Sequence, residues 1–175
     1  MKIIDEMIST YDEARQLFDP YPDKITLKDN THKKRAVPGL LNDEGYDVHL
    51  EMPLKMSVRE LMSASKTKRK ISKIISQLLL KRYQSSTKHL VVAYESTIQE
   101  NDPDSSTRLH SHDEADQLIP NQLIEAAKAH PSASLDVFSP DTDELTMLMN
   151  LVATGRININ NSLNLTTKQG KQKKQ

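Results

Sequence analysis

Five consecutive residues, Leu90-Val91-Val92-Ala93-Tyr94, constrain the fold more than any other stretch of the chain. A short apolar run without alternation is what a strand covered on both faces looks like, because period-two patterning disappears when neither face meets water. Two covered faces demand helices on a sheet, and the rest of the sequence supplies them. Between Ser57 and Tyr83 the apolar residues Val58, Leu61, Met62, Ile71, Ile74, Ile75, Leu78 and Leu79 recur at helical spacing, which predicts one or two helices. Met7, Tyr11, Ala14 and Leu17 predict a short amphipathic helix running into Leu17-Phe18. Residues 113–128 read as a helix broken by Pro120, and Leu135-Asp136-Val137-Phe138 as a second short strand. Ser139-Pro140-Asp141-Thr142-Asp143-Glu144 then opens an apolar helix, with proline and acids placed where a helix N-terminus favours them. Strands alternating with helices imply an α/β fold with a parallel sheet.

The connections are as legible as the elements. Residues 36–53, with Pro38, Gly39, Gly45 and Pro53, read as an irregular connection, and Gln99 to Ser106 as a loop of turn formers and acids. The core must be modest, since apolar residues make up 36% of the chain and it holds 2 Phe, 5 Tyr and no Trp. One domain over residues 1–153 is expected, followed by a polar, lysine-rich disordered tail over 154–175 whose alternating Ile157, Ile159, Leu163 and Leu165 suggest a short strand. No cysteine is present, which excludes a disulfide scaffold, a thiol nucleophile and any thiolate metal site. The opening Met1-Lys2-Ile3-Ile4-Asp5-Glu6 has no apolar signal region and no apolar run is long enough to span a bilayer, so a cytoplasmic or nuclear location is expected.

Charge is segregated along the chain although its formal sum is zero, with 24 Lys+Arg against 24 Asp+Glu. Residues 55–82 carry nine bases and the single acid Glu60, whereas residues 95–117 carry seven acids and the single base Arg108. The last eight residues hold four lysines, leaving residues 1–167 with 20 bases against 24 acids.

Carboxylates fall where a predicted strand ends or a helix begins: Phe18-Asp19, Asp113-Glu114-Ala115-Asp116 and Asp141-Thr142-Asp143. In an open parallel sheet, residues beyond the carboxyl ends of different strands converge on one crevice. Gathered carboxylates must then bind divalent cations, shift their pKa values or be held apart. Mg²⁺ or Mn²⁺ suits an oxygen-only site, and two such ions about 4 Å apart activate water for phosphodiester hydrolysis. Acids at helix N-termini are also favoured as caps and by the dipole, at ~0.3–1 kcal/mol each, so spacing alone leaves both readings open.

Leu17-Phe18-Asp19-Pro20-Tyr21, followed by Leu27-Lys28 and Lys34-Arg35, resembles the strand-end Phe-Asp motif of the PIN-like/flap-endonuclease superfamily of 5′-nucleases, with its downstream Leu-Lys and Arg. His112-Asp113-Glu114-Ala115-Asp116 is similar to that family's helix-opening Glu-Ala-Asp segment, and Ser139-Pro140-Asp141-Thr142-Asp143 to its Ser-Pro-Asp-Thr-Asp segment, in the same order. The resemblance implies a three-layer α/β fold, a small central parallel sheet flanked by helices. It implies Asp19, Glu114, Asp116, Asp141 and Asp143 as catalytic ligands of Mg²⁺ or Mn²⁺, with Lys28 and Arg35 facing the phosphate of a DNA or RNA substrate, single-stranded or flapped. The basic residues 55–82 lie where the family places substrate-contacting helices. The family's first aspartate sits on an opening strand, for which Lys2-Ile3-Ile4-Asp5 is the one available stretch; either Asp5 substitutes for it or that strand is missing. Glu144 and Thr146 stand where the family is apolar, and Pro120 interrupts the helix after Glu-Ala-Asp. Such departures fit a truncated or divergent copy.

Other chemistries find less footing. His110-Ser111-His112 beside Asp113-Glu114 could form a His/carboxylate centre or be surface residues with a capping role, and four glycines in no motif argue against nucleotide-binding loops. Two functions remain: a metal-dependent PIN-like nuclease, or a non-catalytic PIN-like remnant that binds protein or nucleic acid.

Overall fold

The computed structural model describes residues 2–21, 45–53, 55–112, 115–139, 143–157 and 162–167. The chain divides into two compact units, Met1–Ala115 and Asp116–Gln175.

The first unit comprises helix α1 (Lys2–Thr10), strand β1 (Glu13–Leu17), helices α2 (Val58–Leu61) and α3 (Ser65–Tyr83), and strands β2 (His89–Tyr94), β3 (Thr97–Glu100) and β4 (Arg108–Leu109). The sheet order is β1-β2-β3-β4. β1 and β2 are parallel, from Glu13 opposite His89 to Leu17 opposite Ala93, and α3 lies in the connection between them. β3 and β4 pair antiparallel, so the sheet is mixed where a parallel one was expected. The hairpin after β2 turns at Glu95, whose φ of 53° is the left-handed conformation a tight two-residue turn requires. That turn reaches Thr97–Glu100, so Gln99 and Glu100 are strand residues and the acidic loop begins only after them.

β2 fulfils the reading of its sequence, with Leu90, Val91, Val92 and Ala93 fully buried on alternating faces. On one face Leu90, Val92 and Tyr94 pack with Ile8 of α1 and Leu79 of α3, bordered by Ala14, Phe18, Ile75 and Tyr83. The predicted helix through Leu17 is corrected here. α1 ends at Thr10, and residues 13–17 pair with β2 because the exposed Asp12 breaks the helix and its carbonyl accepts the His89 N–H. Tertiary pairing overrides the helical spacing of Ala14 and Leu17.

In the second unit, helix α4 (Ala115–Ala129) is followed by β5 (Ser134–Ser139), helix α5 (Asp143–Ala153) and β6 (Ser162–Thr167). β5 and β6 are parallel, from Ser134 opposite Ser162 to Ser139 opposite Thr167, with α5 as the crossover. Leu123, Ala126, Ala127, Leu135, Leu148, Leu151 and Ile157 form the core, with Val137, Leu163 and Leu165 packed on it. On the other side of the pair Ser162 bonds Ser134 at 2.7 Å and Asn164 bonds Asp136 at 2.7 Å, and Phe138 is exposed. α4 runs unbroken through Pro120, contrary to the predicted break. Its sixth residue lacks only the N–H that would reach the Asp116 carbonyl, and Leu118, Gln122 and Leu123 bury around it.

Candidate functional site

Asp19 stands two residues beyond β1, at the carboxyl end of the parallel strands. The Phe18 N–H donates to the Ala93 carbonyl at 2.9 Å, carrying the pairing to the residue before it. Its Oδ1 accepts the Ala115 N–H at 3.1 Å, joining residues 96 apart in sequence. The Tyr21 hydroxyl is also hydrogen-bonded to Asp19, and burial together with that carboxylate's charge pushes Tyr21 up to about 12. Tyr21 has a φ of 45°, and the Lys68 ammonium lies 5.4 Å from its ring centroid. Asp19 is thus held by a tyrosine, a helix N-terminus and a strand end.

Asp116 follows in the first turn of α4, and Asp143 is the first residue of α5. Both stand in the first turn of a helix. Glu114, Asp141, Lys28 and Arg35 lie outside the described residues. Among the described residues, no three His, Asp or Glu side chains are grouped to hold a metal ion.

Asp5 is far from this corner. It lies on α1 and not on a strand; its carboxylate accepts the Tyr83 hydroxyl at 2.9 Å and pairs with Arg82 at 3.2 Å, at the C-terminal end of α3. Lys68, which covers the tyrosine bound to Asp19, is near the other end of the same helix. Lys68 and Arg82 are separated by about 21 Å of helix, so Asp5 and Asp19 are associated with opposite ends of α3.

No family model matches this chain, and no curated protein or solved structure does either.

The basic segment can therefore be judged on its geometry alone. On α3 the residues Lys66, Lys70, Lys73, Gln77 and Lys81 are all exposed and recur every three or four positions, so they form one stripe about 22 Å long. Lys70 pairs with the exposed Asp47 at 2.9 Å and Lys73 with Glu95 at 3.5 Å. Arg69 reaches Glu95 at 3.1 Å from the flank of the stripe. Solvent-exposed pairs of this kind are weak and open to exchange with other anions. The Lys70 ammonium holds the Asp47 carboxyl below its usual range.

α3 is anchored at both ends. At its start Thr67, fully buried, accepts the Tyr46 N–H at 2.8 Å. Gly45 makes the approach possible with a φ of +72°; a Cβ there would lie 3.0 Å from Thr67 Oγ1 and 3.1 Å from Lys66 Cβ. At its end Asn101 donates to the Tyr83 and Lys88 carbonyls at 2.6 and 2.9 Å while accepting the Leu90 N–H at 2.8 Å. Neither residue stands out in the sequence, where Gly45 belongs to an irregular connection and Asn101 to an acidic loop.

His110 and His112 stack with centroids 5.9 Å apart. Both ring nitrogens of His110 are shut off from water without a hydrogen-bond partner, and burial followed by the proximity of His112 lowers its pKa. No third His, Asp or Glu side chain among the described residues joins the pair to hold a metal ion. Among the described residues no helix is long and apolar enough to cross a membrane.

Proposed function

We propose that the chain is a PIN-like-type domain that binds single-stranded nucleic acid through α3 and does not hydrolyse it. The observation that carries this reading is the exposed stripe of Lys66, Lys70, Lys73 and Lys81, spaced to follow successive phosphates along an extended backbone. Asp5 supports the non-hydrolytic part. Its carboxylate is committed to Tyr83 and Arg82, leaving Asp19 without the first aspartate of the superfamily it resembles.

The test is the affinity for a labelled single-stranded oligonucleotide at several salt concentrations, for wild type and for Lys66→Glu combined with Lys81→Glu. The double variant is expected to bind at least about tenfold more weakly, with the salt slope reduced by about 0.7 for each phosphate that the protein no longer neutralises. Equal affinity and slope for the two proteins would refute the reading.

A second reading, metal-dependent phosphodiester hydrolysis with Mg²⁺ or Mn²⁺ held by Asp19, Glu114, Asp116, Asp141 and Asp143, is favoured by one observation. Asp19 lies at a strand's carboxyl end and bonds the first residue of α4, the helix that carries Asp116 in its first turn. In that reading Lys28 and Arg35 would face the scissile phosphate. Cleavage of single-stranded or flapped substrate with Mn²⁺, abolished by Asp141→Asn with Asp143→Asn, would establish hydrolysis in place of simple binding.

A further inference from the structure

We propose that His89 is a proton-operated clasp that ties strands β1, β2 and β3 together through two carboxylates, one on each ring nitrogen. His89 Nδ1 lies 2.8 Å from Glu13 Oε2 on β1, and Nε2 lies 3.2 Å from Glu100 Oε2 on β3. A neutral imidazole has one N–H and one lone pair, so it satisfies only one of these acceptors and turns its lone pair toward the other. The imidazolium donates to both. The geometry therefore selects the charged ring, and with it the state in which all three strands are cross-linked by side chains.

Within the first unit, the charged groups facing this cluster form an alternating series across the sheet. Arg15 pairs with Glu13 at 2.6 Å on β1, and Arg108 of β4 pairs with Glu100 at 3.2 Å. Lys88, the neighbour of His89, is drawn aside by Asp12 at 3.4 Å. Each carboxylate thus sits between an arginine and the histidine. Partial burial of the ring works against its charge, but the hydrogen bonds and charges of Glu13 and Glu100 outweigh that cost and raise the pKa above the ordinary 6.5. Because the folded midpoint is raised, the clasp contributes fully below the unfolded histidine value, and its contribution is lost as pH rises through the folded midpoint.

β1 makes its backbone pairing in the described sheet to β2 alone, and the Glu13–His89 contact adds a side-chain link between the same two strands. Loss of the proton leaves the ring donating to one carboxylate only and turns its lone pair toward the other, so one of the two strand links is broken. Mildly alkaline conditions would loosen the start of β1 and leave the apolar core on the opposite face intact. The clasp is independent of any nucleic-acid ligand and holds whether or not the lysine stripe binds one.

The experiment is a titration of the His89 ring signals by NMR in the full chain, with Glu13→Gln and Glu100→Gln beside the wild type. The expected wild-type midpoint is above 6.5, and each variant is expected to move it downward. Stability measured against pH for wild type and His89→Gln supplies the second readout, in which the advantage of the wild type shrinks as pH rises through the His89 midpoint. A midpoint at or below 6.5, a midpoint moved by neither glutamine variant, or a constant stability difference across the titration would each overturn the proposal.

Discussion

Replacing Asn101 by alanine is expected to be among the most damaging polar substitutions in this protein, and the structure allows the cost to be worked out. Its side chain is 6% exposed and makes three hydrogen bonds: from Leu90 N–H at 2.8 Å, to Tyr83 O at 2.6 Å and to Lys88 O at 2.9 Å. The Leu90 N–H belongs to a residue with no exposed surface, so losing its acceptor costs the desolvation penalty of a buried donor, about 1–3 kcal/mol. The two carbonyls lose a donor each, at about 0.5–1.5 kcal/mol apiece when water partly replaces it. The sum centres on ~4 kcal/mol, a large share of the ~5–15 kcal/mol that holds a domain folded. Asn101→Asp sharpens the test, because it retains the oxygen for Leu90 N–H but turns a carboxylate oxygen toward two carbonyls. It should be at least as destabilising at neutral pH and should recover partly in acid, where the protonated carboxyl again donates to one carbonyl. Urea unfolding followed by circular dichroism would read the loss as a lower midpoint with an unchanged slope. A loss below about 1 kcal/mol for Asn101→Ala would show that Asn101 does not join the end of α3 to β2.

Three further outcomes follow from local geometry. Gly45→Ala should cost more than Gly155→Ala in thermal melts: both glycines have positive φ, but a Cβ at Gly45 meets Thr67 Oγ1 at 3.0 Å and one at Gly155 meets nothing within 4 Å, so the positive φ alone sets the latter cost at about 1 kcal/mol. Equal costs would remove the role assigned to the Gly45 approach. Asp19→Asn should bring Tyr21 down from about 12 toward 10.0 without reaching it, because burial, its largest cause, remains; a phenolate absorbance titration reads the shift, and an unchanged midpoint would contradict the Asp19–Tyr21 bond. Pro120→Ala should stabilise the second unit by about 1–3 kcal/mol in urea unfolding, since it restores the missing N–H and removes the proline from a helix interior; a destabilised variant would mean that the ring's packing matters more than the missing bond.

The sequence was most legible where one element's residues decide its structure. The unbroken apolar run at 90–94 needed only its own composition to announce a strand covered on both faces, and the spacing from Ser57 to Tyr83 announced α2 and α3. The acids Asp143 and Glu144 marked the first turn of α5 for the same reason, since their interaction with a helix N-terminus is local. β1 was not legible. Its residues keep helical spacing, and they become a strand because their N–H and C=O groups meet those of β2 more than 70 residues away. Pro120 misled for a related reason, as packing around α4 outweighs one missing bond. For the candidate site, motif spacing placed Asp19, Asp116 and Asp143 at strand ends and helix starts, whereas what each carboxylate meets depends on distant residues.

Composition and periodicity by themselves determined an α/β chain without cysteine chemistry, with one doubly covered strand, a basic helix and acids at element ends, because each of these depends on neighbours within a few turns. Tertiary structure alone decided that Asp5 answers to Tyr83 and Arg82 at one end of α3 while Asp19 accepts the Ala115 N–H, that Asn101 ties a helix end to a strand, and that His89 sits between two carboxylates. All three are contacts between residues far apart in sequence or on different strands, and the electrostatic and desolvation energies that give them meaning arise only once the fold has brought the groups together and removed water from between them.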